Sequence, residues 1–420
     1  MTDPGAGVPG AVIVGAGQAG GRAAEALRAH GFEGPITLLG AEAHPPYERP
    51  SLSKEMLLDL QAETVSWVRP AEHYAAEGID LRLGQRAVAI DRVARTVRLA
   101  DGSVVPYRVL VLATGGAPRP LRAPGADHPA VLTLRTLDDS RALRRRLRPG
   151  MTLVVVGAGF IGLEVAAAAR RHGIAVTVVE AAGRPMARAV PPELGDAYAA
   201  LHRRHGVDLR FDAGVDAVED EGGSPVLVLR DGSCLRADLV VVGIGTAPDD
   251  HLAADCGLRT ENGIVVDEFG ATDDPLVYAV GDVARHFNPV LGQHILLESW
   301  QNAQNQAIAV ARNIAGVRAP YAEVPWFWSD QYDVNLQIAG LPVPGAPTIV
   351  RGAPDAGSAL FLQMAGNRLA YAAATNAPRD LRMAKDLIAF GAPVSATLLA
   401  DPATKLLDLH RAAKRERQAA

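Results

Sequence analysis

The stretch Gly157-Ala158-Gly159-Phe160-Ile161-Gly162-Leu163-Glu164 directly follows the apolar run 153–156. Three glycines spaced GxGxxG between a buried strand and a helix are typical of a loop that binds the pyrophosphate of a dinucleotide. The first glycine permits a tight turn, the second leaves room for the phosphates, and the third lets the helix pack close to the strand. We call residues 157–162 the second cradle, because a similar loop precedes it.

The earlier loop, which we call the first cradle, is Gly15-Ala16-Gly17-Gln18-Ala19-Gly20, and it follows the apolar run 11–14. A second repeat accompanies the cradles. Residues 99–115 and 229–245 each contain an Asp-Gly turn and then an apolar strand that ends at a glycine. Two landmarks repeated in the same order predict two related nucleotide-binding units, the second inserted in the first.

The local patterns predict helices at 22–29 and 162–171, each followed by a strand, at 36–39 and 176–179. From about Pro325 the chain changes character, beginning with the aromatic stretch Trp326-Phe327-Trp328-Ser329-Asp330-Gln331. We therefore expect an α/β protein with two Rossmann-like dinucleotide-binding domains of the glutathione-reductase-like kind and a C-terminal α+β domain. The expected boundaries are 1–118 with 247–324, then 119–246, then 325–420.

Composition excludes several classes of function. The content of 48% hydrophobic residues is typical of a globular protein, and the net charge of −5 gives no indication of nucleic-acid binding. It has no apolar run near the ~18 residues of a membrane helix, and the start MTDPGAGVPG lacks a signal-peptide pattern. The two cysteines, Cys234 and Cys256, have no metal-ligand spacing, so we expect no metal site and a cytoplasmic location.

An acidic residue after the second strand of each unit is a candidate for binding the adenosine ribose. Glu180 comes 23 residues after Gly157, near the usual ~20, and its charge favours NADH over NADPH. Arg184, four residues later, keeps NADPH open. In the first unit no acid follows Gly40 directly, and Glu42 is the substitute candidate, with a solvated surface glutamate as the alternative.

Taken together, the motifs resemble the FAD-dependent ferredoxin reductases of bacterial oxygenase systems over nearly the whole chain. The segments that carry the resemblance are the two cradles, the second extended to Glu164, together with residues 49–54 (RPSLSK), 112–116 (LATGG), 134–137 (LRTL), 280–282 (VGD), 298–300 (ESW) and 326–331 (WFWSDQ). Each is modestly specific, but their order and spacing are highly specific.

The resemblance implies that FAD occupies the first cradle and NADH the second. The residues implied to contact FAD are Gly15, Gly17, Ala19, Gly20, Glu42, Arg49, Lys54, Ala87, Ala113, Thr114, Gly115, Arg135, Asp282 and Trp300. Those implied for the nicotinamide dinucleotide are Gly157, Gly159, Ile161, Gly162, Glu164, Glu180 and Gly245. Asp282 could instead be a helix cap, and Trp300 a plain core residue. The family usually has an acid at the position of Ala41, so the FAD ribose contact is open.

Lys54 and Glu164 are the expected catalytic residues. The resemblance suggests that they pair where the nicotinamide meets the flavin, with Lys54 near the flavin N5 that receives the hydride. Related NADH oxidases and peroxidases carry a redox cysteine near the position of Lys54, whereas Cys234 and Cys256 lie elsewhere and are expected to be structural. The alternatives are a solvated lysine and a glutamate that only complements the helix dipole. The first unit has Arg22 at the position of Glu164.

The expected partner is an acidic two-iron two-sulfur ferredoxin that serves a haem monooxygenase or a Rieske dioxygenase. Candidate docking residues are Trp328 and the basic residues near the C-terminus, Lys405, Arg411, Lys414, Arg415 and Arg417; a solvated helix end and a domain-interface aromatic are the alternatives. We expect a monomer or a weak dimer. The rival functions are an NADH oxidase, a monodehydroascorbate-type reductase and a binding protein like apoptosis-inducing factor.

Overall fold

The computed structural model describes residues 10–419, and most of the N-terminal stretch that bears on the signal-peptide expectation lies outside them. The chain divides into two compact units. Unit 1 comprises the residues up to Arg49 together with Val65–Ala117 and Thr246–Glu323. Unit 2 comprises Pro50–Thr64, Pro118–Gly245 and Val324–Ala420. The three domain boundaries drawn from the sequence stay a prediction.

Unit 1 is built around a mixed sheet. Its parallel strands run in the order Ile79–Arg82, Ile36–Leu39, Gly10–Val14, Val104–Leu112, and Val277–Ala279 also pairs parallel with Val104–Leu112. The antiparallel strands Thr96–Leu99 and Ala87–Asp91 continue this sheet from Val104–Leu112. The strands Gly10–Val14 and Ile36–Leu39, which precede and follow the first cradle helix, are apolar and buried throughout, as expected for a parallel sheet covered on both faces.

In its described residues, unit 1 also has four α-helices and a small second sheet. The helices are Gln18–Ala29, Ala71–Ala76, His251–Asp255 and Trp300–Ile314. The second sheet has the order Ile264–Val266, Ala284–Asn288, Gln293–Leu296. The short strands Gly116–Pro118 and Thr246–Pro248 pair with each other where the chain leaves and re-enters this unit.

Unit 2 contains a second parallel sheet. Its strand order is Asp208–Arg210, Ala175–Val179, Thr152–Val156, Leu239–Val242, Val131–Thr133. Three helices of eight residues or more connect these strands, namely Leu137–Arg146, Phe160–Arg171 and Pro192–Arg204. A separate antiparallel sheet has the order Val215–Glu221, Ser224–Leu229, Cys234–Arg236, and the short helix Glu55–Leu58 also belongs to unit 2.

The C-terminal part of unit 2 is a five-stranded antiparallel sheet with helices. The strand order is Trp326–Gln331, Val334–Gly340, Arg368–Thr375, Ser358–Ala365, Thr348–Ala353. The helices are Pro378–Phe390, Ala396–Ala400 and Leu406–Ala419, and a short 3₁₀ turn covers Pro354–Ala356. This arrangement is the α+β architecture expected after residue 325.

The helices begin earlier than the sequence pattern predicted. The first cradle helix starts at Gln18 rather than Arg22, and the second at Phe160 rather than Gly162. The reason is that Gly17 and Gly159 are themselves the N-cap residues, with extended backbone at φ −89° and φ −76°. The middle glycine of each cradle therefore stands directly at a helix N-terminus, where free N–H groups attract anions.

The second Asp-Gly repeat also differs from the first. In unit 1 the strand Val104–Leu112 serves both the hairpin and the parallel sheet. In unit 2 the hairpin ends with Cys234–Arg236, and a separate strand, Leu239–Val242, joins the parallel sheet. The break falls at Asp238, whose carboxylate accepts hydrogen bonds from the backbone N–H and the hydroxyl of Thr152 and so ties the chain to the parallel sheet.

Among the described residues, no helix is both long enough and apolar enough to cross a membrane.

Candidate functional site: two cradles and a buried Lys54–Glu164 pair

The first cradle has the geometry of a pyrophosphate loop. Gly15 has a φ of +111°, and a Cβ on it would lie 2.2 Å from the carbonyl oxygen of Ala113. A Cβ on Gly20 would lie 1.8 Å from the carbonyl oxygen of Gly15, so only glycine allows the helix to approach the turn. In contrast, a Cβ on Gly17 would meet no protein atom within 4 Å. The tight turn and the close packing require glycine, while the space beside Gly17 is left for a ligand.

The second cradle repeats this geometry. Gly157 has a φ of +105°, and its Cβ would lie 2.4 Å from the carbonyl oxygen of Gly243. A Cβ on Gly162 would lie 2.1 Å from the carbonyl oxygen of Gly157, whereas on Gly159 the nearest atom would be 3.9 Å away. The exposed Ile161 lies in the first turn of the helix that follows. Both cradles therefore fit a dinucleotide, one in each unit.

Buried polar atoms beside the first cradle give a further reason to expect a ligand there. Gln306 accepts the backbone N–H of Gly281 at 2.8 Å, and a Cβ on Gly281 would lie 2.8 Å from the Cβ of Ala19. The loop before Asp282 thus packs against both the first cradle helix and the helix Trp300–Ile314. In the described part of the chain, Gln18 Oε1, Asn302 Oδ1 and Gln306 Nε2 are buried polar atoms without a protein partner. Such atoms call for a polar ligand or water.

Asp282 and Trp300 both lie in this part of unit 1. Asp282 is half-buried in the 3₁₀ turn Gly281–Val283, which leads directly into the strand Ala284–Asn288. Trp300 is the half-buried first residue of the helix Trp300–Ile314, whose N-cap Ser299 accepts the N–H of Asn302. Their roles at FAD stay predictions.

The substitute acid Glu42 lies in a hydrogen-bonded group of unit 1. Its Oε1 is 2.9 Å from a guanidinium nitrogen of Arg49, and its Oε2 accepts the hydroxyl of Tyr47 at 2.7 Å. These two contacts do not fit the alternative that Glu42 is a solvated surface glutamate. The ion pair joins Glu42 and Arg49, which were each predicted to contact FAD.

The remaining predicted FAD residues are divided between the units. Ala87 and Ala113 are buried in unit 1, and Thr114 donates its hydroxyl to the backbone carbonyl of Asp249 there. Gly115 has a φ of +71°, which favours glycine. Arg135 is half-buried in unit 2, just before the helix Leu137–Arg146, and its backbone N–H donates to Asp139.

Glu180 stands at the end of the strand Ala175–Val179 in unit 2. Its Oε2 accepts the N–H of Ala158 at 2.7 Å, and its Oε1 accepts the N–H of Ala182 at 2.8 Å. The carboxylate is thereby fixed beside the second cradle. Gly245, with a φ of +102°, ends the segment that follows the strand Leu239–Val242, and Arg184 is occupied with the carbonyls of Ala187 and Val190.

Lys54 and Glu164 form a buried ion pair within unit 2. The Nζ of Lys54 is 2.9 Å from Oε1 of Glu164, and their side chains are 10% and 1% exposed. Glu164 also accepts the hydroxyls of Ser53, at 2.5 Å on Oε2, and Ser329, at 2.6 Å on Oε1. A buried charge pair is tolerated only when further hydrogen bonds satisfy it, and here both oxygens are satisfied. We call Lys54, Ser53, Glu164 and Ser329 the Glu164 cluster.

The resemblance implied that Lys54 and Glu164 form a pair, but it did not include the two serines. A signal for Ser329 exists in the stretch 326–331, because alternate residues of a strand share a face. Ser329 and Gln331 are buried on one face of the strand Trp326–Gln331, while Asp330 between them is exposed. Ser53 has no comparable signal, since it lies in an irregular loop.

Aromatic residues lie beside Lys54 and on the strand that carries Ser329. Trp328 is half-buried, stacks on Trp326 with ring centroids 5.3 Å apart, and lies 5.9 Å from the Nζ of Lys54. Phe160 of the second cradle packs on Phe327 with ring centroids 4.5 Å apart. Trp328 is thus a neighbour of the Glu164 cluster, and its suggested role in docking stays a prediction.

The two cysteines are free thiols, Cys234 exposed and Cys256 half-buried. Neither belongs to the Glu164 cluster. Burial raises the pKa of the Cys256 thiol, which disfavours the reactive thiolate. The five basic candidates for docking, Lys405, Arg411, Lys414, Arg415 and Arg417, are all exposed, and the last four lie on the helix Leu406–Ala419.

Two cradles of this geometry, each between a parallel strand and a helix, define the class of oxidoreductases that bind two dinucleotides. The chain belongs to the pyridine nucleotide-disulphide oxidoreductase family, whose profile matches residues 10–307. Residues 326–410 match the profile of the reductase C-terminal domain.

Three similar proteins are ferredoxin reductases by name. The ferredoxin–NAD(+) reductase component of the anthranilate 1,2-dioxygenase system of Burkholderia cepacia is 46% identical over 94% of this chain and 98% of its own. The ferredoxin reductase for the CYP199A2 system of Rhodopseudomonas palustris is 38% identical, with a TM-score of 0.92 over 96% of this chain and 100% of its own. The covalent putidaredoxin reductase–putidaredoxin complex gives 38% identity and a TM-score of 0.93 over 97% and 99%.

These similarities confirm the family resemblance, the α/β fold class with its C-terminal domain, and the assignment as an oxidoreductase that uses FAD and NAD(H). The individual residue roles remain predictions.

Proposed function

We propose that this protein is an NADH:ferredoxin oxidoreductase that takes electrons from NADH through FAD to a two-iron two-sulfur ferredoxin of a monooxygenase or dioxygenase system. The observation that carries the proposal is the presence of two complete cradles in one chain, each with open space beside its middle glycine. A protein that binds two dinucleotides can accept a hydride at one and release electrons from the other. Relatives named as ferredoxin reductases of oxygenase systems support this direction.

We assign FAD to the first cradle and NADH to the second, with the domain 1–118 and 247–324 for FAD and 119–246 for NADH. The buried polar atoms of Gln18, Asn302 and Gln306 support a permanently bound ligand in unit 1, because their hydrogen bonds would otherwise be lost. When bound, FAD supplies the chemistry of accepting a hydride and releasing single electrons.

We assign the Glu164 cluster to the hydride-transfer step. Lys54 supplies a positive charge that is held in place rather than mobile, because Glu164 fixes its Nζ and two hydroxyls fix Glu164. A fixed charge in a water-poor setting stabilises developing negative charge at little reorganisation cost. The same segment holds no cysteine, so a thiol relay at this position is not supported.

Replacing Glu180 tests the assignment of the second cradle. In Glu180→Ser, the loss of a charged acceptor for the ribose hydroxyls is expected to raise the Kd for NADH about tenfold, since a hydrogen bond to a charged group contributes about 1.5–3 kcal/mol. The Kd for NADPH should change less, because the carboxylate repels the 2′-phosphate. The rate of anaerobic flavin reduction at increasing cofactor concentration gives both constants.

The exposed Glu193 at the start of the helix Pro192–Arg204 provides the control, and Glu193→Ser should leave both constants unchanged. An equal loss of affinity for NADH and NADPH in Glu180→Ser would contradict the assignment.

The exposed basic face of the helix Leu406–Ala419 is our proposed contact for an acidic ferredoxin. Arg411, Lys414 and Arg415 are spaced three and four residues apart and so share one helix face. In the triple variant Arg411→Gln/Lys414→Gln/Arg415→Gln, the KM for ferredoxin should rise about tenfold at low salt, because charge complementarity mainly speeds the encounter. The rate of flavin reduction by NADH should stay unchanged.

Steady-state ferredoxin reduction between low and high ionic strength measures this effect. The difference in KM for ferredoxin between the wild-type protein and the triple variant should shrink as salt increases, since exposed charges are screened. A wild-type rate that is insensitive to salt would show that this helix face is not the docking surface.

The function itself is tested by anaerobic mixing of the purified protein with NADH, followed by oxidised ferredoxin. NADH should bleach the flavin absorbance, and ferredoxin should restore it. Flavin that NADH does not reduce, or that ferredoxin does not reoxidise, would overturn the proposal.

A further inference from the structure

A chain of buried side chains in unit 2 connects Glu164 to the helix Pro192–Arg204. Ser329 lies 2.6 Å from Glu164, and Gln331 Nε2 lies 3.1 Å from the Ser329 hydroxyl. Gln331 Oε1 is 2.8 Å from Nε2 of His202, and the Tyr332 hydroxyl is 3.2 Å from Nδ1 of the same ring. Nothing in the hydride-transfer assignment above uses Gln331, His202 or Tyr332.

The direction of every hydrogen bond in this series of side chains is determined by Glu164, which lies at one end of the series. The carboxylate of Glu164 only accepts, so the Ser329 hydroxyl donates to it and its oxygen accepts from the amide nitrogen of Gln331. The amide oxygen of Gln331 then faces His202, whose Nε2 must donate. The other ring nitrogen is left to accept the hydroxyl of Tyr332. Every donor therefore points toward Glu164.

Burial keeps these hydrogen-bonded side chains away from water and His202 in its neutral form. Ser329, Gln331 and His202 are 0%, 1% and 0% exposed. Burial lowers the pKa of His202 from 6.5 to about 4, so the ring is neutral near pH 7 and its Nδ1 is free to accept. His205, at the end of the same helix, stacks on Tyr332 at 3.6 Å between ring centroids and restricts the tyrosine ring.

We propose that His202 is a positioning residue for Glu164, which it orients through Gln331 and Ser329 so that the carboxylate holds Lys54 in one geometry. The inference rests on the proposed function, because it deepens the assignment of the Glu164 cluster to hydride transfer. A neutral histidine suits this task, since a chain of aligned donors strengthens each of its hydrogen bonds and ends on the charged group. His202 touches neither Lys54 nor Glu164 in the chain described above and acts only through the side chains between them.

The hydrogen-bond direction is tested by the ring ¹⁵N signals of the histidines in the FAD-loaded protein without NADH. His202 should be the neutral tautomer with the proton on Nε2, and Tyr332→Phe should shift its Nδ1 signal through loss of the donated hydrogen bond. A proton on Nδ1 at neutral pH, or an Nδ1 signal unaffected by Tyr332→Phe, would overturn the inference.

The positioning role is tested by the limiting rate of flavin reduction and the Kd for NADH in four variants. His202→Leu should lower the limiting rate about fivefold with the Kd changed less than twofold, since a net hydrogen bond contributes a factor of this order. His202→Gln, which retains a donor for Gln331, should stay within twofold of the wild type. In a Ser329→Ala background, His202→Leu should have less than a twofold effect, because the link is already cut.

If the losses in limiting rate caused by His202→Leu and Ser329→Ala multiply in the double variant, the histidine acts only on the fold. Equal losses of rate in His202→Leu and His202→Gln would show the same. If His202→Leu does not fold, the limiting rates of His202→Gln and Tyr332→Phe, together with the ring ¹⁵N signals of His202, still test whether His202 positions Glu164. Arg204→Gln, at an exposed residue of the same helix, is the control and should leave both the limiting rate and the Kd unchanged. Failure of the proposed function is separate, because NADH would then not reduce the wild-type flavin at all.

Discussion

A Gly17→Val variant is expected to fold and to purify with little FAD, whereas the matching Gly159→Val variant keeps its FAD and binds NADH about 100-fold more weakly. Neither substitution strains the backbone, because both glycines are N-cap residues with φ values of −89° and −76°. Neither meets the protein closely, since an added Cβ finds no atom within 4 Å at Gly17 and one at 3.9 Å at Gly159.

The expected loss arises from the ligand side. In a GxGxxG loop the pyrophosphate approaches the backbone of the second glycine, and a valine side chain occupies that space. Forcing extra carbon atoms into a filled site costs about 1–3 kcal/mol, which corresponds to a loss of affinity of up to about 100-fold. The two positions therefore separate the binding of the two dinucleotides with the same chemical change.

Flavin absorbance of the purified proteins and the NADH dependence of anaerobic flavin reduction measure the two losses. Circular dichroism at matched concentration establishes that each variant is folded. Each variant is the control for the other. If Gly159→Val lost FAD, or Gly17→Val retained it at the wild-type ratio, the assignment of FAD to the first cradle would be wrong.

Replacement of Lys54 by methionine is expected to slow flavin reduction by NADH about 100-fold while FAD stays bound. Removing one preorganised electrostatic group from an active site costs 10²–10³ in rate in comparable cases. The Nζ of Lys54 is 2.9 Å from a glutamate whose side chain is 1% exposed, so its charge is fixed in the folded protein. Methionine keeps the length and flexibility of the side chain and removes the charge.

The substitution also leaves Glu164 buried without its cation, which destabilises proteins by about 3–5 kcal/mol in similar cases. The double variant Lys54→Met/Glu164→Gln separates this effect from catalysis. A neutral amide should restore much of the thermal stability, while flavin reduction stays slow. A double variant that regained the wild-type rate would show that Lys54 acts on stability alone.

The chain offers a matched control, because Lys54 is one of only four lysines and Lys414 is exposed. Lys414→Met should leave flavin reduction by NADH unchanged. Stopped-flow absorbance at saturating NADH gives the limiting rate for all four proteins.

Much of this arrangement could be predicted from the sequence, because it is encoded by local patterns. The glycines of the two cradles and the apolar strands before them are contiguous, and the repeat of these elements predicts the two units. The helix starts were placed up to four residues late because the predictions followed the apolar periodicity, whereas the middle glycine is the actual N-cap. The sequence does not show that Cys234–Arg236 and Leu239–Val242 belong to different sheets, because apolar content alone does not indicate which sheet a strand joins.

The Glu164 cluster could be predicted only in part. The resemblance implied the pairing of Lys54 with Glu164, but no local rule brings Ser53 and Ser329, which are 111 and 165 residues away in the sequence, to this glutamate. Such contacts depend on how the strand Trp326–Gln331 packs on the helix Phe160–Arg171, and that is a tertiary property. The alternation of buried Ser329 and Gln331 with exposed Asp330 was the one available sign.

Electron transfer from NADH to a ferredoxin is tested by the rate at which the purified protein reduces cytochrome c with NADH, measured with and without a two-iron two-sulfur ferredoxin. We expect a slow rate without ferredoxin and a rate that rises in proportion to the ferredoxin added until the reductase limits it. A rate that is equally fast without ferredoxin, or NADH consumption that depends on oxygen alone, would contradict it.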